Sequence, residues 1–363
     1  MLAPLLAHCA LLMAPTHPDP QPAPVRLAVL GLTHTHVHWL LGRPRDRGDV
    51  ELVGVYEPNQ DLARRYIDQH DLPRELHYTD VEAMLETTAP EAVCLFGTTA
   101  EHLEHTLLAA AQGLHVMVEK PLALDLDEAR RMSEATRKAG VELLTNYETT
   151  WYPSNGAVAG VLVDENGIGT LRRAVFETGH PGPVEIGCNP EFLAWLLDPD
   201  QNGGGALVDF GCYGANLMTR WMDGRRPLRV SAITRQVKPG TYPRVDDDAT
   251  ITVDYGDAVC VIQASWCWPR NVKDMALFGT DGDLRTRGSE GLELRRGDGP
   301  VKEVDCPPLA SESADPFAHF AAVVRGRVRA NALSSLENNL IVMEILDAAR
   351  ESARSGRTVE LPR

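Results

Sequence analysis

The stretch "LAVLGLTHTHVHWLL", residues 27–41, decides the fold. An apolar run typical of a buried strand ends at Gly31, and histidines follow at three alternate positions, His34, His36 and His38. A strand that ends in glycine before a helix is how a dinucleotide-binding fold begins. A strand that ends in His-x-His is also how many metal-dependent amidohydrolase barrels place their first two zinc ligands. The rest of the sequence distinguishes the dinucleotide-binding fold from the amidohydrolase barrel.

The alternation of strands and helices stops near residue 150. Up to about Tyr147, apolar runs such as "ELVGVYE" alternate with amphipathic segments such as "DLDEARRMSEATRKAG", which predicts a parallel sheet covered on both faces. After Trp151, longer alternating strands predict a mostly antiparallel sheet. A barrel would keep the first pattern to its end. We therefore predict an α/β fold, with an N-terminal doubly wound Rossmann domain followed by an α+β domain built on a large open sheet.

This pattern also sets the expected domain boundaries. Residues 25–148 form the Rossmann domain and residues 149–363 form the second domain, whose amphipathic helix at 334–355 is expected to pack back on the first. Residues 1–24 are apolar and then proline-rich. They are interpreted either as a weak export signal or as a disordered tail.

Composition narrows the class of function. The 363 residues carry a net charge of −16, which argues against a nucleic-acid partner. No apolar stretch is long enough to span a bilayer. The seven cysteines are scattered and contain no Cys-x-x-Cys pair, so we expect reduced thiols. A cytoplasmic protein is expected, or an exported one if the first residues are a signal.

Metal ligands are too few in the sequence to support the amidohydrolase interpretation. Zinc needs three or four convergent ligands, and the histidine run supplies two. The later strand ends carry Glu57, Gly97, Lys120 and Tyr147 instead. We therefore predict no bound metal.

The dinucleotide interpretation rests on Gly31 and Glu57. In the Gly-x-Gly-x-x-Gly pattern only the first glycine is present, because Thr33 and His36 occupy the other two positions. Thr33 and His34 are candidate donors to phosphate. Glu57 ends the second strand, where an acidic side chain bonds the ribose hydroxyls and repels a 2′-phosphate. NAD is therefore expected in preference to NADP.

A third motif is the triplet Glu119-Lys120-Pro121 at the end of a buried strand, the edge at which open α/β sheets bind ligands. Together with "AVLGL", "EAVCLFGTTAEH", "HVMVEKPLAL" and "NGGGALVDFGCYGANLMTRWM", it gives the chain a clear resemblance to the Gfo/Idh/MocA family of oxidoreductases. The resemblance covers about residues 25–361. It implies hydride transfer between a nicotinamide cofactor and a secondary hydroxyl of a sugar, cyclitol or glycoside.

The resemblance places the catalytic Lys at Lys120, a conserved Asp at Asp209 and a Tyr at Tyr213. Asp209 and Tyr213 are four residues apart, so they are expected on one face of a helix that begins near Gly205. Lys and Tyr ordinarily titrate near pH 10. We expect burial and the charge of the nicotinium to lower both values, so that the pair can pass the proton of the alcohol.

The complete set of candidate contacts is as follows. Cofactor contacts are expected from Gly31, Thr33, His34, Glu57, Gly97, Thr98, His102, Glu119 and Lys120. Substrate contacts are expected from Asn146, Trp151, His180 and Trp266.

Two other functions share this fold. One is an NAD-dependent glycoside hydrolase or lyase, in which the sugar is oxidised only transiently, and the other is a non-catalytic sensor of dinucleotide and sugar. A carbohydrate is the expected partner in each case. A homodimer or homotetramer through the C-terminal sheet is also expected.

Overall fold

The structure is a computed structural model that describes residues 23–362. Nearly all of the expected tail, residues 1–24, therefore lies outside the described residues. The first sheet has six strands, all parallel, in the order β3-β2-β1-β4-β5-β6, which is the order of a dinucleotide-binding Rossmann fold. Its strands are β1 (Val25–Leu30), β2 (Val50–Tyr56), β3 (His77–Tyr78), β4 (Ala92–Leu95), β5 (His115–Glu119) and β6 (Leu143–Asn146).

Capping side chains fix the starts of some of the helices that connect these strands. The Asn59 side chain accepts hydrogen bonds from the backbone N–H groups of Asp61 and Leu62, and Asp125 accepts one from Glu128. The last of these helices ends at Gly140, whose φ of 69° is left-handed. The helices are α1 (Val37–Leu41), α2 (Gln60–Gln69), α3 (Val81–Thr88), α4 (Glu101–Ala111) and α5 (Leu126–Ala139).

The second sheet has nine strands in the order β14-β13-β12-β11-β7-β10-β9-β8-β15. Every pairing described is antiparallel except that of β7 with β10. The predicted fold class is thus confirmed. The strands are β7 (Leu171–Gly179), β8 (Arg229–Arg235), β9 (Asp248–Asp254), β10 (Val259–Ser265), β11 (Val272–Gly279), β12 (Gly282–Arg287), β13 (Gly291–Arg296), β14 (Lys302–Glu303) and β15 (Val359–Glu360).

Helices cover the inner face of this second sheet. Along β9, buried Ile251 and Val253 alternate with more exposed residues, as expected for a half-buried strand. At Gly214 a Cβ atom would lie 2.7 Å from Ile262, so only glycine allows the helix there to approach β10 so closely. The helices that follow α5 in the chain are α6 (Pro153–Val163), α7 (Pro190–Leu196), α8 (Pro199–Asn202), α9 (Ala206–Asp209), α10 (Gly211–Trp221), α11 (Pro316–Val324) and α12 (Leu336–Ser355).

Two C-terminal helices join the sheets. Phe317 and Phe320 of α11 belong to the same apolar cluster as Leu27 of β1, so this helix packs on the Rossmann sheet although it lies in the expected second domain, 149–363. The predicted helix at 334–355 corresponds to α12. Asp347 of this helix accepts a hydrogen bond of 2.9 Å from the backbone N–H of Leu126, the first residue of α5. Within the described residues, no helix has the length and apolar character to cross a bilayer.

Candidate functional site

A cavity of about 510 Å³ lies where the carboxyl ends of β1 and β5 face the second sheet. Its position is the one at which ligands bind in open α/β sheets. The residues that line it are His34, Thr35, His36, Lys120, Glu148, His180, Pro181, Ile186, Cys188, Phe192, Leu196, Asp209, Phe210, Tyr213, Asn271 and Lys273.

A buried ion pair lies in this cavity wall. The Lys120 ammonium donates a hydrogen bond to Oδ1 of Asp209, and Trp266 donates one of 2.9 Å from Nε1 to the other carboxylate oxygen. The side chains of Lys120 and Asp209 are 8% and 6% exposed. Burial opposes both charges, but each charge stabilises the other, so the pKa of Lys120 is raised and that of Asp209 is lowered. The pair is therefore ionised at neutral pH.

Tyr213 lies beside this pair. The centre of its ring is 5.4 Å from Nζ of Lys120 and 5.3 Å from Nζ of Lys273. Burial raises the pKa of Tyr213 well above 10, and the nearby charge of Glu148 acts in the same direction.

These directions are opposite to the expectation that burial and the charge of a nicotinium lower both pKa values. Burial disfavours the phenolate of Tyr213, and the carboxylate of Asp209 outweighs burial at Lys120. Both groups hold their protons in the protein as described here. The lowering of these pKa values that is expected from a nicotinium charge applies only when the dinucleotide is bound.

The prediction of one continuous helix from near Gly205 was also wrong. The chain forms two helices, α9 and α10, with Phe210 between them at φ −107°. The backbone carbonyl of Asp209 accepts hydrogen bonds from Nζ of Lys120 (3.3 Å) and from the thiol of Cys212 (3.2 Å), which explains why the helix is interrupted at this point. Asp209 and Tyr213 still line the same cavity.

Glu119 is held by polar groups from two segments, the histidine run and the end of β6. Its carboxylate accepts a hydrogen bond of 2.7 Å from the amide of Asn146 and lies 3.0 Å from Nδ1 of His36. Burial favours the neutral carboxyl, but His36, His34 and these hydrogen bonds outweigh it and lower the pKa of Glu119 to about 2. Nε1 of Trp151 donates in turn to Asn146 (2.9 Å). Asn146 and Trp151, expected at the substrate, therefore support Glu119.

His34 lines the cavity, and one nitrogen of its ring is buried without a hydrogen-bond partner. The side chain is 2% exposed, and burial lowers its pKa well below 6.5, so the ring is neutral at pH 7. Nδ1 accepts a hydrogen bond of 3.2 Å from the backbone N–H of His36, which assigns the proton to Nε2. Nε2 has no hydrogen-bond partner. Nε2 of His34 is therefore a buried donor without a hydrogen-bond partner, 3.9 Å from Oε2 of Glu119.

The structure adds a third potential metal ligand to the two histidines. His34, His36 and Glu119 offer ligand atoms that lie within 4.8 Å of one another. The two histidines are therefore accompanied by a third potential ligand that the sequence did not indicate. The tautomer of His34 still presents a proton at Nε2, where a metal needs a lone pair. The absence of a metal stays a prediction, which elemental analysis of the purified protein tests.

The ends of β1 and β4 lie unusually close together. Gly31 has a left-handed φ of 81°, and a Cβ atom on it would lie 2.7 Å from the backbone of Gly97. Beside them, the buried hydroxyls of Thr33, Thr98 and Thr99 have no hydrogen-bond partner. Buried polar atoms are rarely left unpaired, so these hydroxyls fit a polar ligand such as a pyrophosphate.

Two further cofactor candidates, Glu57 and His102, are both buried. Glu57 is 4% exposed and accepts hydrogen bonds from the backbone N–H groups of Leu32 (3.0 Å) and Asn59 (2.9 Å); burial raises its pKa. His102 is fully enclosed, and its Nδ1 lies 3.2 Å from the carbonyl of Leu122. Burial lowers the pKa of His102 to about 4. Its position beneath the Glu119–Leu122 segment suits support of that segment better than contact with a ligand.

Of the aromatic and imidazole candidates for the substrate, His180 lines the cavity. Trp266 is completely buried behind Asp209.

Sequence reasoning missed Glu148 and Lys273, which both line the cavity. Glu148 follows the end of β6 by two residues, so the strand-end rule that identified Lys120 would have indicated it. Lys273 lies on an antiparallel strand of the second sheet. Nothing in the local sequence predicts which strand of that sheet faces the first domain.

Comparison with known proteins agrees with this architecture. Residues 25–147 match the oxidoreductase family with an NAD-binding Rossmann fold, and residues 158–285 match the GFO/IDH/MocA C-terminal domain. The D-apiose dehydrogenase of Paraburkholderia graminis is 26% identical over 350 residues, which cover 91% of this chain and 87% of that protein.

Other proteins match a shorter part of the chain or resemble it in fold alone. The trans-1,2-dihydrobenzene-1,2-diol dehydrogenase of Macaca fuscata fuscata is 26% identical over 223 residues, so the match covers 60% of this chain and 62% of that relative. The inositol dehydrogenase homolog of Azotobacter vinelandii complexed with NAD+ has a TM-score of 0.80 at 19% identity, covering 94% of this chain and 98% of that one. Both domains of the chain match models of one family, and the protein therefore belongs to the Gfo/Idh/MocA oxidoreductase family.

Proposed function

We propose that this protein is an NAD-dependent oxidoreductase that oxidises or reduces a secondary hydroxyl of a sugar, cyclitol or glycoside. The observation that carries the proposal is the buried Lys120–Asp209 ion pair beside Tyr213. It lies at the carboxyl end of β5 and faces a cavity large enough for a small polyol.

The residues near Gly31 fit a dinucleotide. The unpaired hydroxyls of Thr33 and Thr98 suit phosphate oxygens, and Gly31 and Gly97, which carry no side chain, lie beside them. A bound nicotinamide dinucleotide would supply the chemistry of hydride acceptance and donation. This chain has to orient the reacting carbon, exclude water and move one proton.

Lys120 and Tyr213 are the groups that move this proton. Both are protonated in the protein as described here, so they suit donation of a proton to the oxygen of a carbonyl that is being reduced. In alcohol oxidation, one of them must first lose its proton. Asp209 holds the ammonium in place, and Trp266 holds Asp209.

Glu57 supports a preference for NAD. Its carboxylate is buried at the end of β2, where it would face a 2′-phosphate at high desolvation cost. We predict that NAD binds more tightly than NADP and that Glu57→Ala narrows the difference. Titration of both dinucleotides by calorimetry tests this, and tighter binding of NADP to the wild-type protein would contradict it.

Names of relatives support the substrate class. D-Apiose dehydrogenase and dihydrobenzenediol dehydrogenase are both named for the oxidation of compounds with neighbouring hydroxyls. We infer that this chain takes an uncharged polyol of similar size.

The test of this function is a screen of neutral sugars and cyclitols with NAD+, followed at 340 nm. Net NADH formation supports an oxidoreductase. Release of an aglycone from a glycoside without net NADH indicates the redox-neutral hydrolase or lyase instead. Binding of dinucleotide and sugar with neither reaction would indicate a sensor.

A further inference from the structure

A second ion pair lies in the cavity wall, formed by Glu148 and Lys273. Nζ of Lys273 donates a hydrogen bond of 2.6 Å to Oε2 of Glu148, and the hydroxyl of Tyr152 donates to Oε1. The side chain of Lys273 is 9% exposed and that of Glu148 is 27% exposed. Both charges are thus largely removed from water and are held in place by each other.

This pair reaches the site of the proposed chemistry. Nζ of Lys273 lies 5.3 Å from the ring centre of Tyr213, and Nζ of Lys120 lies 5.4 Å from the same ring. A substrate whose reacting carbon is placed near Lys120 and Tyr213 therefore has its neighbouring atoms within reach of Glu148 and Lys273.

The charges of the wall are balanced. Of the described residues that line the cavity, two are lysines and two are carboxylates, and none is an arginine. Lys120 is paired with Asp209, and Lys273 with Glu148. A ligand carboxylate or ammonium buried here would find each opposite charge already neutralised, and burial of an unpaired charge is costly.

Hydroxyl groups suit such a wall. A hydroxyl donates to a carboxylate and accepts from an ammonium at the same time, so two neighbouring hydroxyls can bridge an ion pair without breaking its charge balance.

We propose that Glu148 and Lys273 form a specificity subsite that admits neutral polyols and rejects both sugar acids and amino sugars. The proposal rests on the proposed function and goes beyond it, because it names the residues that set substrate charge. Removing either charge alone should change the preference in a direction fixed by the sign of the charge that remains.

The experiment uses three matched probes, D-glucose, D-glucuronate and D-glucosamine, with the D-galactose series as a second set. Their dissociation constants are measured by calorimetry on the protein saturated with NAD+. Wild type should bind the neutral sugar most tightly. Glu148→Gln leaves Lys273 unpaired and should improve binding of the uronate relative to the neutral sugar by about tenfold. Lys273→Met leaves Glu148 unpaired and should improve binding of the amino sugar by a similar factor.

Two controls separate specificity from a general structural effect. The double variant Glu148→Gln/Lys273→Met restores the charge balance and should again prefer the neutral sugar. Asp257→Asn breaks an exposed ion pair with Arg225 away from the cavity and should change none of the ratios.

Shifts of opposite sign in the two single variants support the subsite. The subsite is overturned if the two single variants shift the binding ratios in the same direction or leave them unchanged. It is also overturned if the wild type prefers the uronate or the amino sugar, or if the NAD-loaded protein binds none of the probes. If the protein neither binds NAD nor turns over any neutral polyol, the proposed function itself fails.

Discussion

Lys120 gives the sharpest test at the scale of the residue. Lys120→Met removes the ammonium while keeping an unbranched side chain in the buried position. We predict that the rate of hydride transfer falls by roughly 10²–10⁴-fold, the usual contribution of a general acid or base. The dinucleotide dissociation constant should change little, because the expected contacts to its phosphates and adenosine lie near Gly31 and Glu57, away from Lys120. Single-turnover absorbance at 340 nm measures the rate.

A control is needed because Lys120→Met also leaves Asp209 as a buried, unpaired carboxylate. The double variant Lys120→Met/Asp209→Asn removes both charges. The proposed role of Lys120 is wrong if Lys120→Met turns over within a few-fold of wild type. It is also wrong if the double variant folds and turns over at such a rate.

The pH dependence of turnover follows from the raised pKa of Lys120. The ammonium must lose a proton before it can accept one from an alcohol. The rate of alcohol oxidation should therefore rise as the pH increases above neutral, whereas carbonyl reduction should be favoured at lower pH. Asp209→Asn removes the charge that raises this pKa, so the rise should move to lower pH. A profile that does not move in Asp209→Asn would show that Lys120 is not the titrating group.

Sequence reasoning identified Lys120, Asp209 and Tyr213 because a local motif carries each of them. It did not place Trp266 correctly, since the direction of an aromatic side chain depends on strands that pair across long separations. Lys273 was missed for the same reason, because the register of the antiparallel strands decides which residue faces the cavity.

At the scale of the element, the contact between the ends of β1 and β4 depends on Gly31. Gly31→Ala would place a Cβ atom 2.7 Å from the backbone of Gly97 at a φ of 81°. We predict a loss of stability of about 2–4 kcal/mol, the sum of left-handed strain and overpacking. Urea unfolding measures it.

Gly113→Ala is the matched control. Its φ is 72°, but nothing lies within 4 Å of the added Cβ atom, so only the strain of about 1 kcal/mol is expected. Equal losses in the two variants would show that the close approach of the strands has no energetic consequence.

The order of strands and helices was predictable because apolar periodicity is local. The interruption between α9 and α10 was not, because it depends on the contact of the Asp209 carbonyl with Lys120, which is 89 residues away. The packing of α11 on the Rossmann sheet is likewise a contact between distant segments.

At the scale of the whole molecule, two buried groups predict how stability changes with pH. Burial lowers the pKa of His102 from 6.5 to about 4, so the unfolded chain takes up a proton first as the pH falls. Stability should be full above pH 6.5 and should fall between 6.5 and 4. The pKa of Glu119 is lowered from 4.5 to about 2, so its contribution should be full above pH 4.5 and should be lost as the pH falls to 2.

Each contribution is on the order of 3 kcal/mol. Urea unfolding between pH 8 and 2 checks both. His102→Asn should reduce the decline in the first window, to which buried His34 also contributes, and Glu119→Gln should reduce the decline in the second. A decline between pH 6.5 and 4 that persists unchanged in His102→Asn would contradict the assignment.

The direct measurement of the central claim is the transfer of hydrogen itself. The protein is incubated with NAD+ and neutral sugars and cyclitols that carry deuterium on their carbinol carbons, and the reduced dinucleotide is examined by NMR. We predict that one of these compounds gives NADH with deuterium at C4 of the nicotinamide, and that Lys120→Met forms this product roughly 10²–10⁴-fold more slowly than the wild type. NAD-saturated protein that binds such a polyol and transfers no deuterium would contradict it.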